Sequence, residues 1–257
     1  MNHIKINYKK PEKVISKLKT PISYSASNFG IKGKCTGYRT SFSVISSGLP
    51  AHKDIKEFSD TEVFIEKTTM PDDNLGIATM YSGILSSYNM KGIKGIAPKS
   101  KPFYAKAINE KKHSSINAIG SSILWSMIKK VDAIILTTLP KKSSYLEQIL
   151  RKIYMMNICV FVHESNVSKE WKKNPHVIIV NSKQDEKLSI KDHNNNVVVS
   201  APENYTTYLN NKYTITNEKI MSTSIATGLA LILIQKNKND KKRYTPQSIY
   251  KQLVTIK

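Results

Sequence analysis

Arginine is almost missing from a chain that is nonetheless strongly basic. Its 40 lysine and arginine residues include only Arg39, Arg151 and Arg243 as arginines, set against 19 acidic residues for a net charge of +21. Readers of specific bases and phosphates lean on the bidentate guanidinium fork, which lysine cannot copy. The lysines are spread along the chain, apart from a cluster at 236–243, and with abundant Asn and Ile they fit AT-rich coding as well as a functional basic surface. Cysteine is also scarce: Cys35 and Cys159 have neither paired spacing nor a histidine cluster beside them. That argues against a disulfide framework or a zinc site and leaves two reduced thiols. No long apolar run is present either. The most apolar stretch, 225–234, is about half of what a membrane-spanning helix needs. The first residues lack the charged start and apolar core of about 7–15 residues that mark a secretory signal. The expectation is a chain that is cytoplasmic when synthesised, with no membrane partner.

What is present suits one sizeable core: 257 residues, of which 40% are apolar, fit a single α/β domain. Residues 1–33, polar and lysine-rich with Pro11 and Pro21, read as an arm packed on the surface of a domain covering 34–257. Apolar runs at 41–47, 132–138, 157–163, 175–180 and 196–200, and an alternating one at 102–108, predict strands. Helical spacing predicts helices over 76–87, 114–130 (Ile116, Ile119, Ile123, Leu124, Met127), 143–156 (Leu146, Ile149, Leu150, Ile153), 225–235 and 246–254. Alternation of buried strands with helices predicts a mostly parallel sheet covered on both faces.

Several segments carry chemistry in a telling order. Val44-Ile45-Ser46-Ser47-Gly48 runs into Leu49-Pro50-Ala51-His52-Lys53-Asp54, and Asp72-Asp73-Asn74-Leu75-Gly76-Ile77-Ala78-Thr79 follows. Gly92-Ile93-Lys94-Gly95-Ile96-Ala97-Pro98, Val160-Phe161-Val162-His163-Glu164-Ser165-Asn166, Ser200-Ala201-Pro202, Thr223-Ser224-Ile225-Ala226 and Tyr244-Thr245-Pro246 come later. In order and spacing over residues 30–257 these segments resemble the subtilisin family of serine proteases. The resemblance implies a three-layer α/β/α sandwich with a central, mostly parallel sheet. It places Ser224 at the nucleophile position and Asn166 at the oxyanion-hole position. It also makes Thr138, Leu139, Pro140 and Ser165 lining of the substrate cleft, and sets Asp54 at a position that helps bind calcium in some members; no other cofactor is implied.

The departures fall on the proton transfer. The family's aspartate orients a histidine that takes the serine's proton; here Ser46 stands at the aspartate position and Ile77 at the histidine position. Ser46 has no charge to stabilise an imidazolium, Ile77 accepts no proton, and Ser224 is left with an unactivated hydroxyl. Pro140 has no N–H for a ladder bond to a bound peptide strand. The expected function is therefore a catalytically inactive member that binds a protein or peptide, as a regulatory or structural component, including of a viral or phage particle. Two alternatives stay open. One is a serine endopeptidase whose base has been replaced, with Asp72, Asp73, His52, His113 and His163 as candidates. The other is a basic nucleic-acid-associated protein whose lysines gather on one face.

Overall fold

The strands of the core are runs of buried β-branched and aromatic residues, and helices pack on both faces of the sheet they form. A computed structural model describes residues 4–256 except 32, 34, 56, 57, 67, 68, 90, 186 and 187, so the ends of the expected arm and domain at 1–3, 34 and 257 lie outside the described residues. The main sheet is built from β1 (Ser41–Ser46), β2 (Asp60–Val63), β3 (Lys101–Lys106), β4 (Ala133–Leu136), β5 (Cys159–His163), β6 (Ile178–Gln184), β7 (Ser189–His193) and β8 (Asn196–Ala201). Their order across the sheet is β7-β8-β6-β5-β4-β1-β3-β2. Every pair is parallel except β7 with β8. β1 lies between β3 and β4, where the chain's course across the sheet reverses.

Side chains of successive strand residues go to opposite faces. Phe42 and Val44 of β1 join one buried cluster with α1 (Ile77–Ser86), α4 (Glu218–Asn239) and α5 (Pro246–Val254). Ile45 joins the other with α2 (Ile116–Ile128) and α3 (Ser144–Met155). The result is the expected three-layer α/β/α architecture. Among the described residues no helix is long and apolar enough to cross a membrane.

The amino-terminal segment is tied to the domain by short pairings. Ile4–Lys5 pairs with His113–Ser114, Val14–Ile15 with residues 213–214, and Ile22–Ser23 with Ile93–Lys94. Its Tyr8, Tyr24 and Phe29 are buried in the core.

The structure departs from the sequence expectations in two respects. A hairpin, β9 (Tyr205–Tyr208) and β10 (Lys212–Ile215), lies where no strand is predicted, as do the edge strands β2 and β7. The tight turns after β7 and β9 each carry an Asn-Asn pair in the left-handed region, Asn194-Asn195 and Asn210-Asn211, a conformation that asparagine tolerates and that matches strand twist. The second difference is α4, which begins at Glu218 rather than at 225. Asn217 caps it, its Oδ1 accepting from Ile220 N at 3.0 Å, and Glu218 in the first turn complements the helix dipole.

Candidate functional site

The carboxyl end of β1 leads toward the start of α1, and α4 packs against α1; these elements hold the three predicted catalytic positions. Ser46 ends β1 and is fully buried. The chain then turns through Gly48, whose φ is 136° and where a Cβ would sit 2.2 Å from Pro71 O, so no other residue fits without a shift. The turn lets Leu49 N bond Pro71 O at 2.7 Å and Asp73 N bond Leu49 O at 3.0 Å. Asp73 is thereby delivered to the start of α1.

Asp73 is the centre of the site. Its Oδ1 accepts from Ser47 Oγ at 2.6 Å and Gly76 N at 2.8 Å; its Oδ2 accepts from Thr79 N at 2.8 Å and Thr79 Oγ1 at 2.7 Å. These bonds satisfy donors that the glycine N-cap of α1 leaves unpaired. Burial pushes the Asp73 carboxyl above the usual carboxylate range, while its hydrogen bonds from Ser47, Thr79 and Gly76 pull it back. The sequence offers Asp73 as a stand-in base for Ser224. The structure makes it an acceptor for four donors of the surrounding fold; the available signal is an aspartate three residues ahead of the helix-capping Gly76.

Ile77, the first residue of α1, is 1% exposed and belongs to the core. Tyr208 covers the backbone beside it, since a Cβ on Gly76 would meet Tyr208 Cε2 at 2.3 Å. Tyr8 of the amino-terminal segment closes the same place, its hydroxyl donating to Leu75 O at 2.9 Å. The structure thus gathers two serines, an isoleucine and a buried carboxylate under two tyrosines.

Ser224 is the seventh residue of α4, counting from Glu218, and its exposure is 0%. Its Oγ donates to Tyr81 O in α1 at 3.3 Å. The carbonyl of a helix residue accepts that bond; it takes no proton away. Met221 and Ser222, just earlier in α4, border a depression of only about 10 Å³ together with Val199, Pro202 and Glu203, room for about one water.

The cleft residues are committed as well. Asn166 Nδ2 donates to Thr137 O at 2.9 Å. Thr138 Oγ1 and Leu139 N both donate to Asn166 O, at 3.3 and 2.9 Å. Pro140 offers no N–H, and its carbonyl accepts Nε1 of the fully buried Trp171 at 2.6 Å. Both ladder groups of Pro140 are therefore withheld from an added strand. Sequence reasoning misses Trp171, which no motif marks.

Ser165 Oγ lies 2.9 Å from His163 Nδ1, which also accepts from Ser165 N at 3.1 Å. Nδ1 being an acceptor, the proton sits on Nε2, which donates to Ser182 Oγ at 3.2 Å; Ser182 Oγ in turn donates to Glu218 Oε2 at 3.3 Å. The ring thus ties the end of β5 to the start of α4. Burial lowers the His163 pKa to about 4, helped by the nearby Lys219 and opposed by Glu164. The imidazole stays neutral in the folded protein, while an unfolded histidine titrates near 6.5. The stability that this neutral ring contributes is full above about pH 6.5 and falls as the pH drops toward 4, by about 3 kcal/mol in all. A urea series across that range should show the loss, and His163→Gln should flatten it. An unchanged pH dependence in that variant would assign the loss to another group.

Asp54, the calcium candidate, is held by donors of the surrounding fold. Its fully buried carboxylate accepts from Asn89 Nδ2 at 2.6 Å, Ile93 N at 2.9 Å and Tyr213 Oη at 2.8 Å. Calcium needs six to eight oxygen ligands, yet these neighbours present N–H and O–H donors. Among the described residues no group of three or more His, Cys, Asp or Glu could hold a metal ion. Of the other candidate bases, His52 holds Lys212 O at 3.0 Å and Asp54 N at 3.1 Å. Asp72 belongs to the turn before α1, its carbonyl accepting from Lys106 Nζ at 2.8 Å, and His113 lies in the short pairing with Lys5.

A three-layer α/β/α sheet with a serine-bearing helix packed behind its middle strands is the arrangement of a subtilisin-like α/β fold, and sequence comparison agrees at a distance. Subtilisin DY of Bacillus licheniformis is 26% identical over 217 residues, covering 78% of this chain and 78% of that protein. The minor extracellular protease Epr of Bacillus subtilis (strain 168) is 25% identical over 137 residues, 52% of this chain and 21% of Epr, so the chain matches about a fifth of that relative's length. No protein-family model matches the chain. The matches support a distant relationship to the subtilisin-type proteases.

Proposed function

We propose that this chain is a subtilisin-fold pseudoprotease that binds a protein or peptide partner and does not hydrolyse it. The observation that carries the reading is the position of Ser224: seven residues into α4, fully buried, its hydroxyl given to Tyr81 O. A hydroxyl in that setting meets neither a base nor a substrate carbonyl. Ser46 and Ile77 remove the two partners that the related enzymes use, and losing the serine or histidine of an active subtilisin triad lowers turnover by roughly 2 × 10⁶.

Withdrawal of the Pro140 ladder groups supports partner binding by side chains and surface shape rather than by strand addition. Asp54 acts as a turn anchor rather than as a calcium ligand. The test is a fluorophosphonate probe with casein as substrate. Ser224 should stay unlabelled and casein intact in the native protein, and Ser224→Ala should change neither. Labelling at Ser224 together with casein cleavage, both lost in Ser224→Ala, would sink the reading.

A further inference from the structure

At the opposite end of the sheet, the amino ends of β1 and β3 open onto a bowl of about 560 Å³. Such a volume lies within the range of ligand sites. Its lining includes Tyr38, Arg39, Lys99, Lys101, Lys130 and Lys238, with one acid, Asp132. Asp132 is 7% exposed and already engaged: it accepts from Lys238 Nζ at 2.6 Å, Tyr244 Oη at 2.7 Å and Ser41 N at 2.9 Å. Arg39, Lys99, Lys101 and Lys130 are exposed, and none takes part in the ion pairs between described residues. Lys101 lies over the Phe103 ring at 5.3 Å, and the carboxylate that feels its charge, Asp60, is already ion-paired with Lys129. Four such cations around one concavity repel each other and concentrate the protein's positive field there. An anion relieves that repulsion.

The kind of anion follows from what stands beside the charges. Tyr38 is 59% exposed in the bowl, and Phe58, 45% exposed, directly precedes the lining residue Ser59. Exposed aromatic faces among cations form the combination that holds single strands, the cations tracking phosphates and the rings stacking on bases. An acidic peptide uses the charges but leaves the rings without a planar partner. The described residues that line the bowl come from strand starts, turns and the last turn of the largely buried α4, rather than from an exposed helix or ribbon of the kind that enters a duplex groove. Three of the four cations are lysines, which suits sequence-tolerant phosphate contacts rather than base reading.

We propose that this bowl binds single-stranded nucleic acid, with Arg39, Lys99, Lys101 and Lys130 on the phosphates and Tyr38 stacked on a base. The site is independent of the pseudoprotease reading, since it shares no residue with the Ser46–Ile77–Ser224 region. The experiment is fluorescence anisotropy of a labelled oligothymidine over a salt series. It compares the native chain, the triple variant Lys99→Gln/Lys101→Gln/Lys130→Gln, the equal-charge control Lys19→Gln/Lys173→Gln/Lys191→Gln, and Tyr38→Ala, each checked for folding by circular dichroism.

Each single-strand phosphate contact contributes about 0.7 to the log–log salt slope, so the bowl triple should lose about 2 from the slope and about a hundredfold in affinity at 0.1 M salt. The control triple should stay within threefold or so of the native chain, its lysines lying outside the bowl. Tyr38→Ala should weaken binding roughly fivefold or more with the slope unchanged. Equal loss in both triples would reduce the site to diffuse net charge and overturn the proposal. So would a duplex bound as tightly as the single strand, or polyglutamate competing as well as oligothymidine with Tyr38→Ala silent.

Discussion

Ser46→Asp combined with Ile77→His should give no peptide hydrolysis and a protein weakened by at least about 5 kcal/mol. Sequence alone makes this pair look like a repair of the catalytic machinery. The structure turns it into an injury. Ser46 and Ile77 are 0% and 1% exposed, so both new polar groups arrive in a dry site. The added carboxylate would be placed next to Ser47, whose hydroxyl already serves the Asp73 carboxylate, and like charges that close oppose each other's ionisation. Removing Ile77 from the core costs roughly 2–5 kcal/mol on the scale of large-to-small core changes, and an uncompensated buried charge roughly 3–5 kcal/mol more. A whole domain has only about 5–15 kcal/mol to lose.

Even a folded double variant would lack its nucleophile. Ser224 is set by the Asn217 cap of α4 and by its own hydrogen bond to Tyr81 O, and neither contact is made by residue 46 or 77. Urea unfolding reads the stability, and casein hydrolysis with fluorophosphonate labelling reads the activity. Should the double variant fail to fold, Ile77→His alone answers the labelling question. Hydrolysis that returns with Ser224 labelled would show α4 unwinding at its start and would refute the burial of the nucleophile.

Much of the fold was legible because buried parallel strands read as unbroken apolar runs. Ala133–Leu136 and Cys159–His163 fall inside their predicted spans. Helices α3 and α5 also begin where the sequence carries start signals: Ser143 caps the first, and Thr245 followed by Pro246 opens the second. The start of α4 was not legible. A helix buried on all sides shows no amphipathic period, and residues 220–235 are all buried, so its polar first turns looked like a loop ahead of an apolar run.

The site divides in the same way. Ser46, Ile77 and Ser224 were placed by motif order, which survives in sequence. Their closure was not, because it depends on contacts between distant residues: Tyr8 with Leu75, 67 positions apart, and Ser224 with Tyr81, 143 apart. Pro140 was readable as a missing donor, whereas the loss of its carbonyl to Trp171 needed the fold.

Asp73→Ala should destabilise the protein by about 3–5 kcal/mol, the cost of removing one side of a buried charged arrangement. Its hydrogen-bond set contains no cation; four donors from Ser47, Gly76 and Thr79 hold the carboxylate. Alanine would leave all four without that acceptor in a dry site, and each buried orphan costs roughly 1–3 kcal/mol unless water enters. Asp73→Asn keeps one acceptor oxygen for two of the donors and turns an amide NH₂ toward the others. Its loss should be smaller, about 2–3 kcal/mol. The order Ala worse than Asn worse than native, read as urea midpoints, tests whether the network acts by acceptance. Equal losses in the two variants would mean that packing volume, rather than hydrogen bonding, makes Asp73 matter. The network grips Ser47 on one side and the first turn of α1 on the other, so it joins the two segments that hold Ser46 and Ile77. At that junction, a buried carboxylate supports the fold.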